Sequence, residues 1–154
     1  MNQYYLQQIF SIIFYISNKT QAEGDKLDER ITVKQWMTLL TIMHLPKGRA
    51  NYNQIAGMMG CSKQNVKKLV TILERKKFVS IGKSDTDHRA VSVQVTQDSK
   101  KFLHDYYERG NTYLNNIFKD FDENELHTLW KLLKKLAAYS DSSWIGYEEK
   151  VTFD

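Results

Sequence analysis

Between residues 62 and 95 the apolar residues of this chain change their period. Val66, Leu69, Val70 and Leu73 fall at i, i+3, i+4 and i+7, one stripe along a helix. Soon afterwards Val91, Val93 and Val95 alternate with Ser92 and Gln94, the pattern of a strand covered on one face. Phe78, Val79, Ser80 and Ile81 read as a first strand, and the polar, turn-rich residues 82–89 join the two as a hairpin with a long tip. A β-hairpin must therefore follow directly on an amphipathic helix. Elsewhere the chain carries helical patterning with a single proline, Pro46. These features predict a mainly α fold with a small β wing.

The helices announce themselves by their caps. Apolar residues Leu6, Ile9, Phe10, Ile13 and Ile16 follow helical spacing, and Ile12, Phe14 and Tyr15 widen that face until it covers most of the circumference. Such a helix needs more than one packing partner. Residues 18–30 are polar and read as a loop. Thr32-Val33-Lys34-Gln35 fits a capping box opening a helix through Trp36, Leu39, Leu40 and Met43, which Pro46 stops at Leu45. Asn51 caps a short helix that Gly60 ends, and Ser62 caps the amphipathic helix almost at once. Thr96 can cap a helix running to about residue 121, and Asp122 a last one through Leu126, Leu129, Trp130, Leu133 and Leu136. Residues 140–154 show no regular period.

Net charge is only +4, so its distribution matters more than its size. From residue 61 to 90 the cations Lys63, Lys67, Lys68, Arg75, Lys76, Lys77, Lys83 and Arg89 face only Glu74, Asp85 and Asp87, a larger surplus than that of the whole chain. The outer face of the helix at residues 62–76 shows Lys63, Gln64, Lys67, Lys68, Thr71 and Arg75. A helix fits the DNA major groove, its N-terminal amides suit phosphate, and a cation on a hairpin tip is drawn to a narrow minor groove. Arg89 is placed for that last role. Two short helices joined at a glycine, the second cationic outside, followed by a hairpin, predict a winged helix-turn-helix, for which double-stranded DNA is the expected partner.

Residues 31–96 resemble the MarR family of bacterial transcription regulators. The matching pieces are Ile31-Thr32-Val33-Lys34-Gln35-Trp36, Gln54-Ile55-Ala56, Cys61-Ser62-Lys63-Gln64-Asn65-Val66, Leu73-Glu74-Arg75-Lys76-Lys77-Phe78-Val79, the wing Asp85-Thr86-Asp87-His88-Arg89-Ala90, and Val95-Thr96. The Asp-x-Arg wing is the most specific of these. The resemblance implies a cytoplasmic homodimer that represses transcription from a pseudo-palindromic operator. Residues 1–30 would form an N-terminal dimerisation helix and loop, 31–96 the DNA-binding lobe, and 97–154 the C-terminal dimerisation helices and tail. It carries Ser62, Lys63, Gln64, Lys67 and Lys68 into the groove and Asp87 and Arg89 into the wing; Asn65, where the family commonly has threonine, Lys83 and His88 are counted beside them as DNA-binding candidates. It also implies a small aromatic effector, for which Tyr15, Trp36, Met43, Phe102 and Tyr106 are the candidate lining. One departure concerns geometry: Lys77 stands where the family usually has glycine.

Other functions find less support. A winged helix that binds a protein partner would tend to exchange the outer lysines for acidic or apolar residues. A metal-sensing branch would need more than His104 and Glu108 one turn apart, with His44 or Glu23, so no metal or cofactor is expected. A thiol-sensing branch would rest on Cys61, the single cysteine, which reads better as a small packed residue in a cytosolic chain. Phosphate loops, HExxH and nucleophile elbows are absent from the sequence, which argues against an enzyme. The apolar N-terminal stretch is interrupted by Gln7, Gln8 and Ser11, is too short to span a bilayer, and has no cation before Lys19.

Overall fold

The computed structural model describes residues 1–46, 50–84, 90–144, 146 and 147. Among these the order is α1 (Gln3–Gly24), α2 (Val33–His44), α3 (Tyr52–Met59), α4 (Lys63–Arg75), β1 (Val79–Lys83), β2 (Val91–Val95), α5 (Gln97–Ile117) and α6 (Glu123–Ala137). The caps sit where local chemistry asks for them. Thr32, Asn51, Ser62, Thr96 and Asp122 each accept a backbone amide of the turn they open. Reciprocal capping boxes close at Thr32/Gln35, Asn51/Gln54 and Asp122/Glu125. Gly60 ends α3 in the left-handed conformation, φ 64°.

Three boundaries differ from expectation, and one helix ending takes an unusual conformation. First, α1 runs on to Gly24 through residues expected to be a loop. Gln, Ala and Glu are good helix formers, the Lys19–Glu23 ion pair of 3.1 Å spans one turn, and no breaker precedes Gly24, so the helix needs no apolar period there. Second, β1 starts at Val79 and takes in Gly82 and Lys83, so the hairpin tip is shorter than residues 82–89. Third, α5 stops at Ile117, and Phe121 closes a turn onto the Phe118 carbonyl. The unusual ending is that of α4, where Lys77 adopts φ 63°. Its amide bonds Glu74 O at 2.9 Å and that of Phe78 bonds Leu73 O at 2.9 Å, the paired bonds of a Schellman ending. Lysine thus occupies the conformation that glycine takes without strain.

The core lies between α2, α3, α4, the hairpin and the first half of α5. Leu39, Ile55, Val66, Val70, Leu73, Val79 and Val93 are buried in it, joined by Ile31, Leu103 and Tyr106. β1 and β2 pair antiparallel, Val79 opposite Val95 and Ile81 opposite Val93, and the Val93 amide also reaches Ala50 O at 2.9 Å. At the foot of the hairpin the Thr96 hydroxyl donates to Lys77 O (2.8 Å) and accepts from the Ser99 amide, while Ser99 Oγ donates to Phe78 O (2.5 Å). At the mouth the Ser84 amide bonds Ala90 O at 2.9 Å.

The arms are different. From Tyr4 to Ile16 every large apolar side chain of α1 is exposed, Phe10 by 75%, and α1 is anchored near its C-terminal end. There Gly24 is buried against Val33 and Tyr113, and the Tyr113 hydroxyl donates to Thr20 O (2.8 Å). In α6 no residue is buried, and Trp130, Leu132, Leu133 and Leu136 stand open. An apolar groove of about 990 Å³ runs along α6, lined by Phe118, Leu126, Leu129, Trp130, Leu133 and the tail residues Trp144 and Tyr147. Those two rings fasten the tail: Trp144 Nε1 donates to Met58 O (3.1 Å), and Tyr147 shares a hydrogen bond with Thr41 (2.8 Å) and sits edge-on to His44. Among the described residues no helix is long and apolar enough to cross a membrane.

Candidate nucleic-acid interface

Helix α4 owes its orientation to four side chains. Val66, Val70 and Leu73 have no exposed surface and Leu69 little, so the opposite face is forced outward. That face carries Lys63, Gln64, Asn65, Lys67, Lys68, Thr71 and Arg75, all exposed. Ser62 Oγ accepts the Asn65 amide (3.2 Å), which leaves the other first-turn amides free for an anion. No acidic residue occupies that turn, so the positive end of the helix dipole is not offset there. Lys67 Nζ lies 5.8 Å from the centre of the Tyr52 ring, which holds it over the start of α3. The Thr71 hydroxyl turns back to Lys67 O (2.8 Å).

Of the wing residues, Lys83 lies exposed at the end of β1. Asp87, His88 and Arg89 lie outside the described residues. The structure brings Ser62, Lys63, Gln64, Asn65, Lys67 and Lys68 onto one helix surface, with Lys83 on the neighbouring hairpin.

The candidate effector residues divide. Trp36, Tyr106 and Phe102 form a continuous aromatic row with centroid separations of 5.6 and 5.7 Å, extended by Phe78 at 5.0 Å from Phe102. Met43 is half-buried against the same core, whereas Tyr15 is exposed on α1. Tyr106 Oη is buried without a hydrogen-bond partner; among the described side chains only Ser92 Oγ shares that condition. Burial pushes the Tyr106 phenol pKa up, with Asp28 adding to the shift.

Cys61 is half-buried just ahead of the α4 cap. Burial pushes its thiol pKa up, against a smaller pull from Lys34, a direction that disfavours the reactive thiolate. Among the described residues no three His, Cys, Asp or Glu side chains are grouped to hold a metal ion. His104 and Asp105 are both well exposed, and the His44 ring is engaged with Leu40 O and Tyr147.

Sequence patterning did not single out one polar cluster. The Asp28 carboxylate, almost wholly buried, takes a two-pronged pair from Arg30 and a further bond from Arg109 on α5 (2.7 Å). The Arg30 guanidinium beside it holds the Asp28 carboxyl far below the usual carboxylate range. No local signal marks it in the sequence: Arg109 stands exposed one turn beyond the buried Tyr106, and its partner belongs to a distant segment.

A helix pair crossing at Gly60, an outward cationic second helix and an antiparallel hairpin, flanked by long apolar helices, define a winged helix-turn-helix. No family model matches the chain. It is 30% identical over 127 residues to the uncharacterized HTH-type transcriptional regulator YfiV of Bacillus subtilis (strain 168), covering 81% of this chain and 79% of that protein. Its fold is similar to the crystal structure of a MarR/EmrR family transcriptional regulator from Acinetobacter sp. ADP1, with TM-score 0.75 and 19% identity over 88% of this chain and 96% of that one. It is also similar to S. aureus MepR, solved as a DNA complex, with TM-score 0.71 and 21% identity over 90% of this chain and 98% of that one. The chain belongs to the HTH-type transcriptional regulators, and its fold is that of the MarR-family structures to which it is similar.

Proposed function

We propose that this protein is a homodimeric repressor that binds a pseudo-palindromic operator and is released by a small aromatic effector. The observation that carries the reading is the division of α4 into a buried apolar stripe and an exposed face bearing Lys63, Lys67 and Lys68 with no anion in the first turn. Placed in the major groove, that face puts Gln64, Asn65 and the lysines at base edges and phosphates, with Ser62 at the backbone. Residues 83 and 87–89 of the wing follow the duplex alongside. That MepR, a protein of similar fold, was solved as a DNA complex supports DNA as the partner.

A second copy of the chain best accounts for the arms. At about 1.5 Å per residue, α1 is long enough to lie along a partner helix for about six turns. Its apolar side chains match the open groove beside α6 in character. In this division residues 1–30 and 97–154 hold the dimer and 31–96 read DNA. Two-fold symmetry then places the two α4 helices about one turn of DNA apart. For the effector, the unpartnered Tyr106 hydroxyl beside Trp36 and Phe102 offers a hydrogen bond within an aromatic setting.

Selection of bound sequences from a random duplex pool tests the reading and should return a two-fold symmetric motif. With about four phosphate contacts per subunit, log K should fall against log salt with a slope near −7. A slope near zero, or a sedimenting monomer, overturns it. A protein-binding winged helix is disfavoured by the lysines that α4 keeps on its open face.

A further inference from the structure

We propose that Asp28 is the joint through which α5 positions the recognition helix α4. The proposal deepens the dimeric DNA-binding reading above and rests on it: it says how the arms are connected to the reading heads. Asp28 lies in the junction between α1 and α2. Its Oδ1 accepts the Arg30 amide and Nε, both at 2.9 Å, and its Oδ2 accepts Arg30 Nη2 and Arg109 Nη2, both at 2.7 Å. Arg109 Nη1 also reaches Leu27 O at 3.4 Å. From this cluster the path runs through Arg30. Its carbonyl accepts Lys76 Nζ at 2.7 Å, and the same ammonium bonds Gln35 Oε1 at 2.9 Å. Lys76 is the C-cap of α4, and Gln35 belongs to the capping box that opens α2.

Thus α5, the α1–α2 junction, the start of α2 and the end of α4 meet through consecutive charged hydrogen bonds. The two guanidiniums also lie on rings of α5, Arg30 at 4.6 Å from the centre of Phe102 and Arg109 at 5.7 Å from that of Tyr106. Charge-assisted, forked bonds resist rotation as well as separation. A turn of α5 relative to the lobe would therefore draw on the end of α4 opposite to its base-reading turn. The bland alternative is an ion pair that only stabilises the fold. Replacing Asp28 itself would not separate the two, because it removes the Arg30 and Arg109 bonds at once. Arg109 is the better lever: it is 45% exposed on its side chain, and Asp28 keeps the Arg30 fork without it.

The test uses the full-length protein and a labelled duplex recovered by the selection above. Arg109→Lys keeps the charge but cannot hold Asp28 and the Leu27 carbonyl together; Lys76→Gln cuts the far end of the path; Lys101→Gln, exposed on the same helix, reads the loss of charge alone. Arg109→Lys and Lys76→Gln should each weaken operator binding about tenfold, with cooperative melting and dimer retained. On one path the double variant should bind no more weakly than the worse single, and Lys101→Gln should stay within about threefold of wild type. Independently of DNA, spin labels at Thr71→Cys in a Cys61→Ser background read the distance between the two α4 helices. Arg109→Lys should broaden or shift that distance. Wild-type affinity and an unchanged distance distribution in Arg109→Lys, or effects that simply multiply, overturn the joint while leaving the repressor reading intact. A wild-type protein that ignores every duplex overturns both.

Discussion

Helices α4 and α1 both expose a full face, and the two faces could hardly differ more. On α4 the residues turned outward are lysines and amides, and the apolar ones are sealed in the core. On α1 the outward residues are Leu6, Ile9, Phe10, Ile13 and Ile16, and its anchors are confined to its C-terminal end. What a helix leaves open indicates what it meets: a polyanion in one case, another apolar protein surface in the other.

The largest effect should come from charging the apolar face. Ile9→Asp would place an unpaired carboxylate in the dimer contact at a cost of about 3 kcal/mol or more. Sedimentation should then show a monomer, and operator affinity should fall at least about a hundredfold. A variant that stays dimeric breaks the contrast, because α1 would then not be the covered surface. Next come the cationic face and its individual lysines. Lys67→Ala and Lys68→Ala should each weaken binding about tenfold and flatten the salt slope by about 2 for the dimer if each lysine meets phosphate. If either reads a base instead, the slope holds and the selected motif relaxes at one position. The smallest effect is a gain. Lys77→Gly relieves the left-handed lysine at the end of α4 and should stabilise the lobe by about 1 kcal/mol. That raises the melting temperature by about 3 °C, read by circular dichroism. No change there would mean that the Schellman ending holds lysine without strain.

Much of this was legible in the sequence wherever the cause is local. Thr32, Asn51, Ser62, Thr96 and Asp122 were readable as caps because a cap needs only its own next three residues. The stripe of α4 was readable because burial follows the helical period. The end of α1 was not, since residues 18–24 carry no apolar period and rely on helix propensity and one ion pair. The Asp28 cluster was illegible for a different reason. Its members, at positions 28, 30, 76 and 109, belong to segments that only the tertiary fold assembles, and an aspartate in a polar loop looks like any solvated charge. The tail was opaque likewise: Trp144 and Tyr147 take their meaning from Met58 O and Thr41, far away along the chain.

The foot of the hairpin has an evolutionary consequence. Thr96 and Ser99 bolt β1 and β2 to the end of α4 and the start of α5, and the Ser84–Ala90 bond closes the mouth above them. That clasp fixes both strand ends from their own side, independently of whatever sequence joins them. Descendants of this chain could thus change the joining residues to suit a new target while the strand pairing and the core keep their bonds.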